Sequence, residues 1–411
     1  MAGKFISRKD SKGYQLRRGE CQRNDGRYVY AYTDRLGVRR SIYSKTLVGL
    51  REKERELQRG YEDGLDPHKA QQISVSDMVQ KYIDNKNNLK TTTKGMYVFV
   101  FKHYISNTFG KRKIVDIKYS DVLTYYFHML KVDGLSGSIV DHVHGLLHPA
   151  FQMAVRDGLI RTNPTDGAMA EVKASKYFVV GKREALSVEQ QKAFMDYLKS
   201  NREYTGWVPV VTVLLGTGMR IGECLGLTWN DLNFKERTIS VNHTLTDRPD
   251  EHGHTQKRIE TPKTKAGTRI IPMVDEVFDA FLDEYQIQKC LGFCEEEVDG
   301  YKDFVFSTAS HTVYLASAVN HAIHRAADSY NEKEKHRAEY EEREPLLLPV
   351  FSAHNLRHTF CTRLCENDVN LKVIQTIMGH SDITTTMNIY ADCHKEKKKE
   401  ALDSLKGKLI L

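Results

Sequence analysis

Residues 352–390, SAHNLRHTFCTRLCENDVNLKVIQTIMGHSDITTTMNIY, decide how the chain reads. His354, Arg357, His380 and Tyr390 stand apart from the apolar pattern around them. His354 and Arg357 are three apart, so on a helix they share a face. Val369–Met378 reads as a second helix, with Leu371, Ile374 and Ile377 or Met378 at helical spacing. Gly379 is its expected stop, which places His380 at the helix end. Tyr390 follows ten residues later, after the β-branched run Ile383-Thr384-Thr385-Thr386. His354 and His358 are four apart, as in the helical zinc motif. The stretch HNLRH lacks the glutamate that motif needs, so no metal is expected.

Taken alone, a His-x-x-Arg is common on solvated helix faces. The whole constellation is not: His-x-x-Arg, a helix ending Met-Gly-His, then Tyr. It resembles the C-terminal signature of the tyrosine recombinases, the phage-integrase family. That family carries one more element upstream, an arginine in a T-G-x-R-x-x-E context. The chain has it as Thr217-Gly218-Met219-Arg220-Ile221-Gly222-Glu223.

At 411 residues the chain is long enough for two or three domains. An apolar fraction of 40% suits globular domains. No run approaches the length of a membrane span, and MAGKFISRKDSKG lacks the apolar core of a signal peptide. A soluble protein of the bacterial cytoplasm is expected. The seven cysteines form no C-x-x-C pair, so reduced structural thiols are expected. The net charge of +7 is unevenly spread: residues 1–71 carry +7, residues 72–180 carry +5 and residues 181–411 carry −5. A basic front half points to a polyanion, of which nucleic acid is the natural case.

Residues 14–44 read as three strands, with turns at Asn24-Asp25-Gly26 and Asp34–Gly37. The strands are Gln15–Arg23, Arg27–Thr33 and Arg39–Ser44, and Tyr28, Tyr30 and Tyr32 fall on one face. Leu47–Gly60 reads as an amphipathic helix, with Leu47, Leu50 and Leu57 inward. One sheet face is then free, and Arg17, Arg23, Arg27, Arg39 and Arg40 populate that face or its rim. A β-sheet can enter the DNA major groove. The stretch R-x-G-E-x-Q-R-x-D-G-R-Y-x-Y-x-Y also resembles the arm-binding domain of conjugative-transposon integrases, which implies binding to DNA sites distant from the crossover point.

Glu62–Pro67 is a turn-rich linker. Helices are predicted at Val75–Asn85, capped by Ser74 or Ser76, then at Thr91–Ser106, Ser120–Val132 and Ser136–Asp157, with Pro149 as an interruption. Arg161–Pro164 closes this part. A basic helical bundle at this place resembles the core-binding domain of the family. Lys90, Lys94, Lys102, Lys111, Arg112 and Lys113 are candidates for phosphate contacts, which make binding salt-dependent.

Beyond a linker at Lys176–Arg183, Ser187 caps a helix running through Leu198. Val208–Leu215 reads as a buried helix. Arg220 beside so apolar a run needs a partner. Glu223 serves in part, and a substrate phosphate serves better. Thr238–Asn242 reads as a strand, and Arg258–Thr264 with Thr268–Pro272 as a hairpin. Helices follow at Val274–Cys290 and Ala316–Tyr330, with a short buried strand at Phe304–Phe306 between them. Asn331–Glu344 reads as an exposed helix extension or loop.

The expected fold is thus mixed and mainly α. Residues 1–66 form an arm-type DNA-binding domain, a three-stranded sheet plus helix. Residues 72–175 form a helical core-binding domain, and residues 181–411 an α+β catalytic domain with a C-terminal tail. The resemblance implies a catalytic set of Arg220, Lys263, His354, Arg357, His380 and Tyr390, with Lys265 as the alternate lysine. It implies a 3′-phosphotyrosyl intermediate and no cofactor. Its implied partners are double-stranded DNA at core-type and arm-type sites, a tetramer of the chain on that DNA, and an accessory excision factor. Two other readings remain open. A type IB topoisomerase shares the chemistry, though the arm-like sheet argues against it. A catalytically dead DNA-binding factor is the other, and the filled catalytic positions argue against that.

Overall fold

The computed structural model describes residues 8–34, 37–87, 91–179, 181, 184–249, 255–262 and 265–393. The chain divides into two compact units, Met1–Val180 and Gly181–Leu411.

The first unit opens with a small hairpin of β1 (Arg8–Lys9) and β2 (Gln15–Leu16). A three-stranded antiparallel sheet follows, in the order β3 (Glu20–Gln22), β4 (Tyr28–Thr33), β5 (Arg39–Ser44). The predicted strand Gln15–Arg23 is therefore split. Gly19 turns the chain at φ +90°, and any Cβ there would stand 2.8 Å from the Ala31 carbonyl oxygen. The Glu20 carboxylate accepts from the Arg17 amide at 2.7 Å and fixes the turn. Helix α1 (Leu47–Glu62), capped by Thr46, covers one sheet face through Leu47, Leu50, Tyr28 and Tyr30.

The turn-rich linker leads into a short helix, α2 (Pro67–Gln72). A helical bundle follows: α3 (Val75–Asp84), α4 (Thr91–Val100), α5 (Tyr119–Lys131), α6 (Gly137–Arg156) and α7 (Ala168–Ala174). Ser74, not Ser76, caps α3, in a reciprocal capping box with Asp77. Helix α4 continues as a π-helical turn over Phe101–Ile105. Helix α6 passes through Pro149 without a break. Its buried stripe from Val140 to Ala154 packs into the bundle core and holds the helix together across the missing donor. Helix α7 follows the closing turn at Arg161–Pro164 and falls within the expected bounds of 72–175.

The second unit is built round α9 (Val208–Thr217), sequence VPVVTVLLGT, which is buried on nearly every side. It packs against α11 (Asp275–Leu291) and α13 (Ala353–Glu366). Each fully buried valine or leucine there contributes roughly 1.5–3 kcal/mol. Helix α8 (Val188–Ser200) precedes it, with the expected Ser187 cap, and α10 (Ile221–Gly226) follows. A second sheet runs β10 (Arg269–Pro272), β7 (Thr238–Val241), β6 (Leu232–Asn233). A separate hairpin pairs β8 (Thr244–Pro249) with β9 (Thr255–Glu260).

The predicted hairpin of Arg258–Thr264 with Thr268–Pro272 is corrected here: its two halves have different partners. Pro262 has no amide hydrogen for a ladder, so β9 stops at Glu260 and β10 turns to β7 instead. The expected strand Phe304–Phe306 is buried, but in place of a ladder it makes an isolated bridge to Thr228 and single backbone bonds to Leu227 and Tyr314. Helix α12 (Ala316–Tyr340) takes in most of the charged extension. Helices α14 (Leu371–Met378) and α15 (Ile383–Cys393) complete the described residues. No helix among them is long and apolar enough to cross a membrane.

Gly218 ends α9 with φ +62°, and a Cβ there would sit 2.4 Å from the Phe360 ring. Gly218→Ala is expected to lose roughly 1–2 kcal/mol from the left-handed backbone alone, read by denaturant unfolding. Gly95→Ala, in open space on α4, is the control and stays neutral or gains slightly. Equal stability of Gly218→Ala and the parent would contradict this account of the turn.

Candidate active site

The turn at Gly218 lets the chain leave α9 and start α10 at once. Arg220 is the residue before α10, in extended backbone, and its own amide donates to the Glu223 carboxylate at 2.9 Å. The Arg220 side chain donates back to Glu223 at 2.7 Å and is about half exposed. Glu223 is buried and also accepts from Arg269 at 2.8 Å. Burial alone would raise the Glu223 carboxyl, but Arg269 and then Arg220 outweigh it and hold it below its usual range.

Helix α13 starts with a capping box between Ser352 and Asn355, which puts His354 in the first turn and Arg357 one turn on. Arg357 is buried, and its fork donates to two carbonyls, Gly218 at 2.6 Å and Met378 at 2.6 Å. Burial, with Arg220 and Arg269 adding to it, lowers its guanidinium to about 9. It is still protonated at neutral pH.

Gly379 ends α14 in the left-handed conformation, as the sequence implies, and His380 follows it. The His380 ring pairs with the Thr386 hydroxyl at 3.0 Å. Burial, then Arg357, Arg220, Arg269 and His354, lower its pKa to about 4. His380 is thus neutral at pH 7 and available as a hydrogen-bond donor.

His354, Arg357 and His380 line one cleft of about 310 Å³ together with His358, Met378, Thr385, Asn388 and Ile389. The shared face expected for His354 and Arg357 is therefore present. Tyr390 is on α15, a helix that the β-branched run Ile383–Thr386 opens, with Asp382 accepting from the Thr384 amide at 2.9 Å. Tyr390 is half-buried against the small cluster of Cys361, Cys365, Ile374 and Met378, and it is not among the residues that line the cleft. Lys263 lies outside the described residues. Lys265 starts a 3-10 turn, so strand alternation does not set its direction. Arg269 was not anticipated. Its signal is present in Thr268–Pro272, where it shares the buried face with Ile271 and alternates with the exposed Ile270.

In the first unit, strand alternation puts Cys21, Val29, Ala31, Thr33, Arg39, Ser41 and Tyr43 on the sheet face opposite α1. Arg39 is exposed there, and Arg23 stands over the Tyr43 ring at 5.8 Å. Arg40 falls on the other face and pairs with Asp34 at 3.0 Å. Arg27 pairs with Asp25 at 2.7 Å, and Arg17 is exposed in the turn before β3. Lys94, Lys102 and Lys111 are exposed, Arg112 pairs with Asp121 at 2.9 Å, and Lys113 donates to the Gln72 carbonyl at 2.6 Å. Lys90 lies outside the described residues.

The neutral His380 carries a pH signature. Its usual value is 6.5 and its folded value about 4, so between these the unfolded chain binds more protons. Its contribution to stability is whole above about 6.5 and is lost as pH falls toward 4. Between pH 7 and pH 5 the parent is expected to lose more unfolding free energy than His380→Gln, measured by urea titration. Equal losses would show that the histidine is not held neutral.

A model of the phage integrase family matches residues 184–397, and one of the DNA binding domain of the Tn916 integrase matches residues 5–61. The transposase from transposon Tn1545 of Streptococcus agalactiae serotype V is 32% identical, over 96% of this chain and 98% of its own. The transposase from transposon Tn916 of Enterococcus faecalis is 31% identical over the same shares, 96% and 98%. A solved structure of the Tn1549 transposon integrase in complex with transposon right end DNA matches with a TM-score of 0.69 at 31% identity, covering 80% of this chain and 99% of that one. A lambda integrase dimer bound to a core site shares the fold, with a TM-score of 0.52 at 14% identity, covering 77% of this chain and 95% of that one. On its sequence and its fold, the chain belongs to the phage integrase family and is a tyrosine-type site-specific DNA recombinase of the conjugative-transposon kind, serving integration and excision.

Proposed function

We propose that Tyr390 attacks the scissile phosphate while Arg220, Arg357, His354 and His380 hold its oxygens. The observation that carries this is a charge imbalance. Round the buried Glu223 carboxylate stand three guanidinium groups, Arg220, Arg269 and Arg357, close enough that Arg357 is shifted by the other two. One carboxylate cannot neutralise three cations, and a phosphodiester supplies the missing negative charge.

A free tyrosine has a pKa of about 10 and is a poor nucleophile at neutral pH. Two arginine forks on the non-bridging oxygens offset the charge that grows as the phosphorus becomes five-coordinate. His380 donates to the same oxygens, and His354 takes part in handling the Tyr390 proton. As the Tyr390 oxygen bonds to phosphorus, the bond to the 5′ oxygen breaks. Lys263, or Lys265 in its place, gives that oxygen a proton as general acid. The products are a 3′-phosphotyrosyl link and a free 5′ hydroxyl. The link keeps the bond energy, so a hydroxyl from another strand reverses the step without ATP. Repeated on each strand of two duplexes, this recombines them through a four-way junction. Tyr390 reaches the cleft by a movement of α15, whose Thr385, Asn388 and Ile389 already line it.

The three-part division at 1–66, 72–175 and 181–411 accompanies this reading. The sheet reads arm-type sites through Arg17, Arg23, Arg27, Arg39 and Arg40. The bundle grips core-type DNA through Lys90, Lys94, Lys111 and Arg112. Four copies assemble on the DNA, an accessory factor sets the excision direction, and the work is done in the bacterial cytoplasm.

On a nicked duplex that loses its 5′ end after cleavage, the parent is expected to trap a covalent complex, and Tyr390→Phe none, read by denaturing gels. Equal trapping by Tyr390→Phe would sink the assignment of the nucleophile. Arg220→Ala is expected to cost about 3 kcal/mol of transition-state stabilisation, roughly a hundredfold in rate. Arg220 is the better arginine to test, because Arg357 also holds Gly218 and Met378.

A further inference from the structure

Arg269 touches no reacting atom in the chemistry above, yet it is bonded to three separate segments beside the site. It is buried, and each nitrogen of its guanidinium has a different acceptor. Nε donates to the Ile377 carbonyl at 2.6 Å, Nη1 to the Gly267 carbonyl at 3.2 Å and Nη2 to the Glu223 carboxylate at 2.8 Å. The three acceptors come from three separate segments. Glu223 holds Arg220. Ile377 is in the last turn of α14, just before Gly379 and His380. Gly267 ends the turn that follows Lys263 and includes Lys265, and this turn lies directly against Gly379.

We propose that Arg269 is a positioning residue for strand cleavage, which locks the lysine-bearing turn and the His380 end of α14 against the Glu223–Arg220 pair. This rests on the roles assigned above to Arg220, His380 and the lysine. A filler of buried space would need shape alone, and a counter-ion for Glu223 would need charge alone. Only a planar fork serves three acceptors lying in three directions. A lysine at this place keeps the charge toward Glu223 and loses the other two bonds, so the lysine turn is released while the carboxylate stays paired.

The test is a two-substrate comparison with the full chain. One nicked duplex has the ordinary 5′ oxygen at the scissile bond. The other has a bridging sulfur there, which leaves as a thiolate and needs no proton, since a thiol has a pKa of about 8.5. Arg269→Lys is expected to cleave the oxygen substrate about a hundredfold more slowly than the parent and to recover most of that loss on the sulfur substrate. Arg220→Ala is expected to be slow on both. A sulfur-to-oxygen rate ratio equal to the parent's in folded Arg269→Lys overturns the proposal. Should Arg269→Lys fail to fold, the neutral pair Glu223→Gln with Arg269→Gln removes both members of that buried ion pair together and is read by the same ratio. Lys263→Ala and Lys265→Ala separate the two levels of failure. If either raises the ratio and the Arg269 variants do not, only the positioning role falls. If neither lysine variant raises it, the general-acid assignment falls and the role of Arg269 falls with it.

Discussion

The buried Glu223 carboxylate is the constraint round which the second unit is arranged. An isolated buried carboxylate is costly, and this one is made tolerable by two arginines, Arg220 one turn away and Arg269 from a distant strand. Arg220 approaches from the start of α10 and Arg269 from β10. Each is committed elsewhere as well, Arg269 to α14 and Arg220 to Gly379 at 3.4 Å. One acidic residue therefore fixes how a helix start, a strand and a helix end meet. The apolar core under α9 supplies the stability that this polar arrangement does not.

Much of the second unit could be read from the sequence because its signals are local. Ser187 and Gly379 mark helix ends by backbone chemistry that needs no tertiary partner. The spacing of His354 and Arg357 settles their shared face before any packing is known. What could not be read depended on pairing. Strand β8 is polar and ends in proline, and nothing in TLTDRP announces that it takes β9 away from β10. Alternation along β10 marks Arg269 as inward, but its role follows only from the acceptors that surround it, which come from distant segments. Helix α15 opens with β-branched residues of low helix propensity, and contacts with α13 and α14 overrule that preference.

The first unit shows the same division. The alternation of Tyr28, Tyr30 and Tyr32 gave the face that α1 covers, and that alternation also decides which arginines are outward. Arg39 and Arg40 are neighbours in sequence and opposite in direction, so a basic cluster in the sequence is not a basic patch on the sheet. Several of the cations expected to contact DNA are already paired with carboxylates, as Arg27, Arg40 and Arg112 are. For these, contact with a phosphate means exchanging one anion for another.

Arg357 differs from them in one respect. Its fork is held by the carbonyls that close α9 and α14, where each helix presents the negative end of its dipole, about half an elementary charge. Dipoles orient a cation without cancelling it as a carboxylate would. Among the described residues no carboxylate is bonded to this guanidinium, and Glu223 acts on it only through space, so an incoming ligand has no direct ion pair to displace. Being buried, the guanidinium is also shielded from dissolved ions. The grip on the reacting phosphate is accordingly less sensitive to ionic strength than the grip of surface lysines on the flanking duplex.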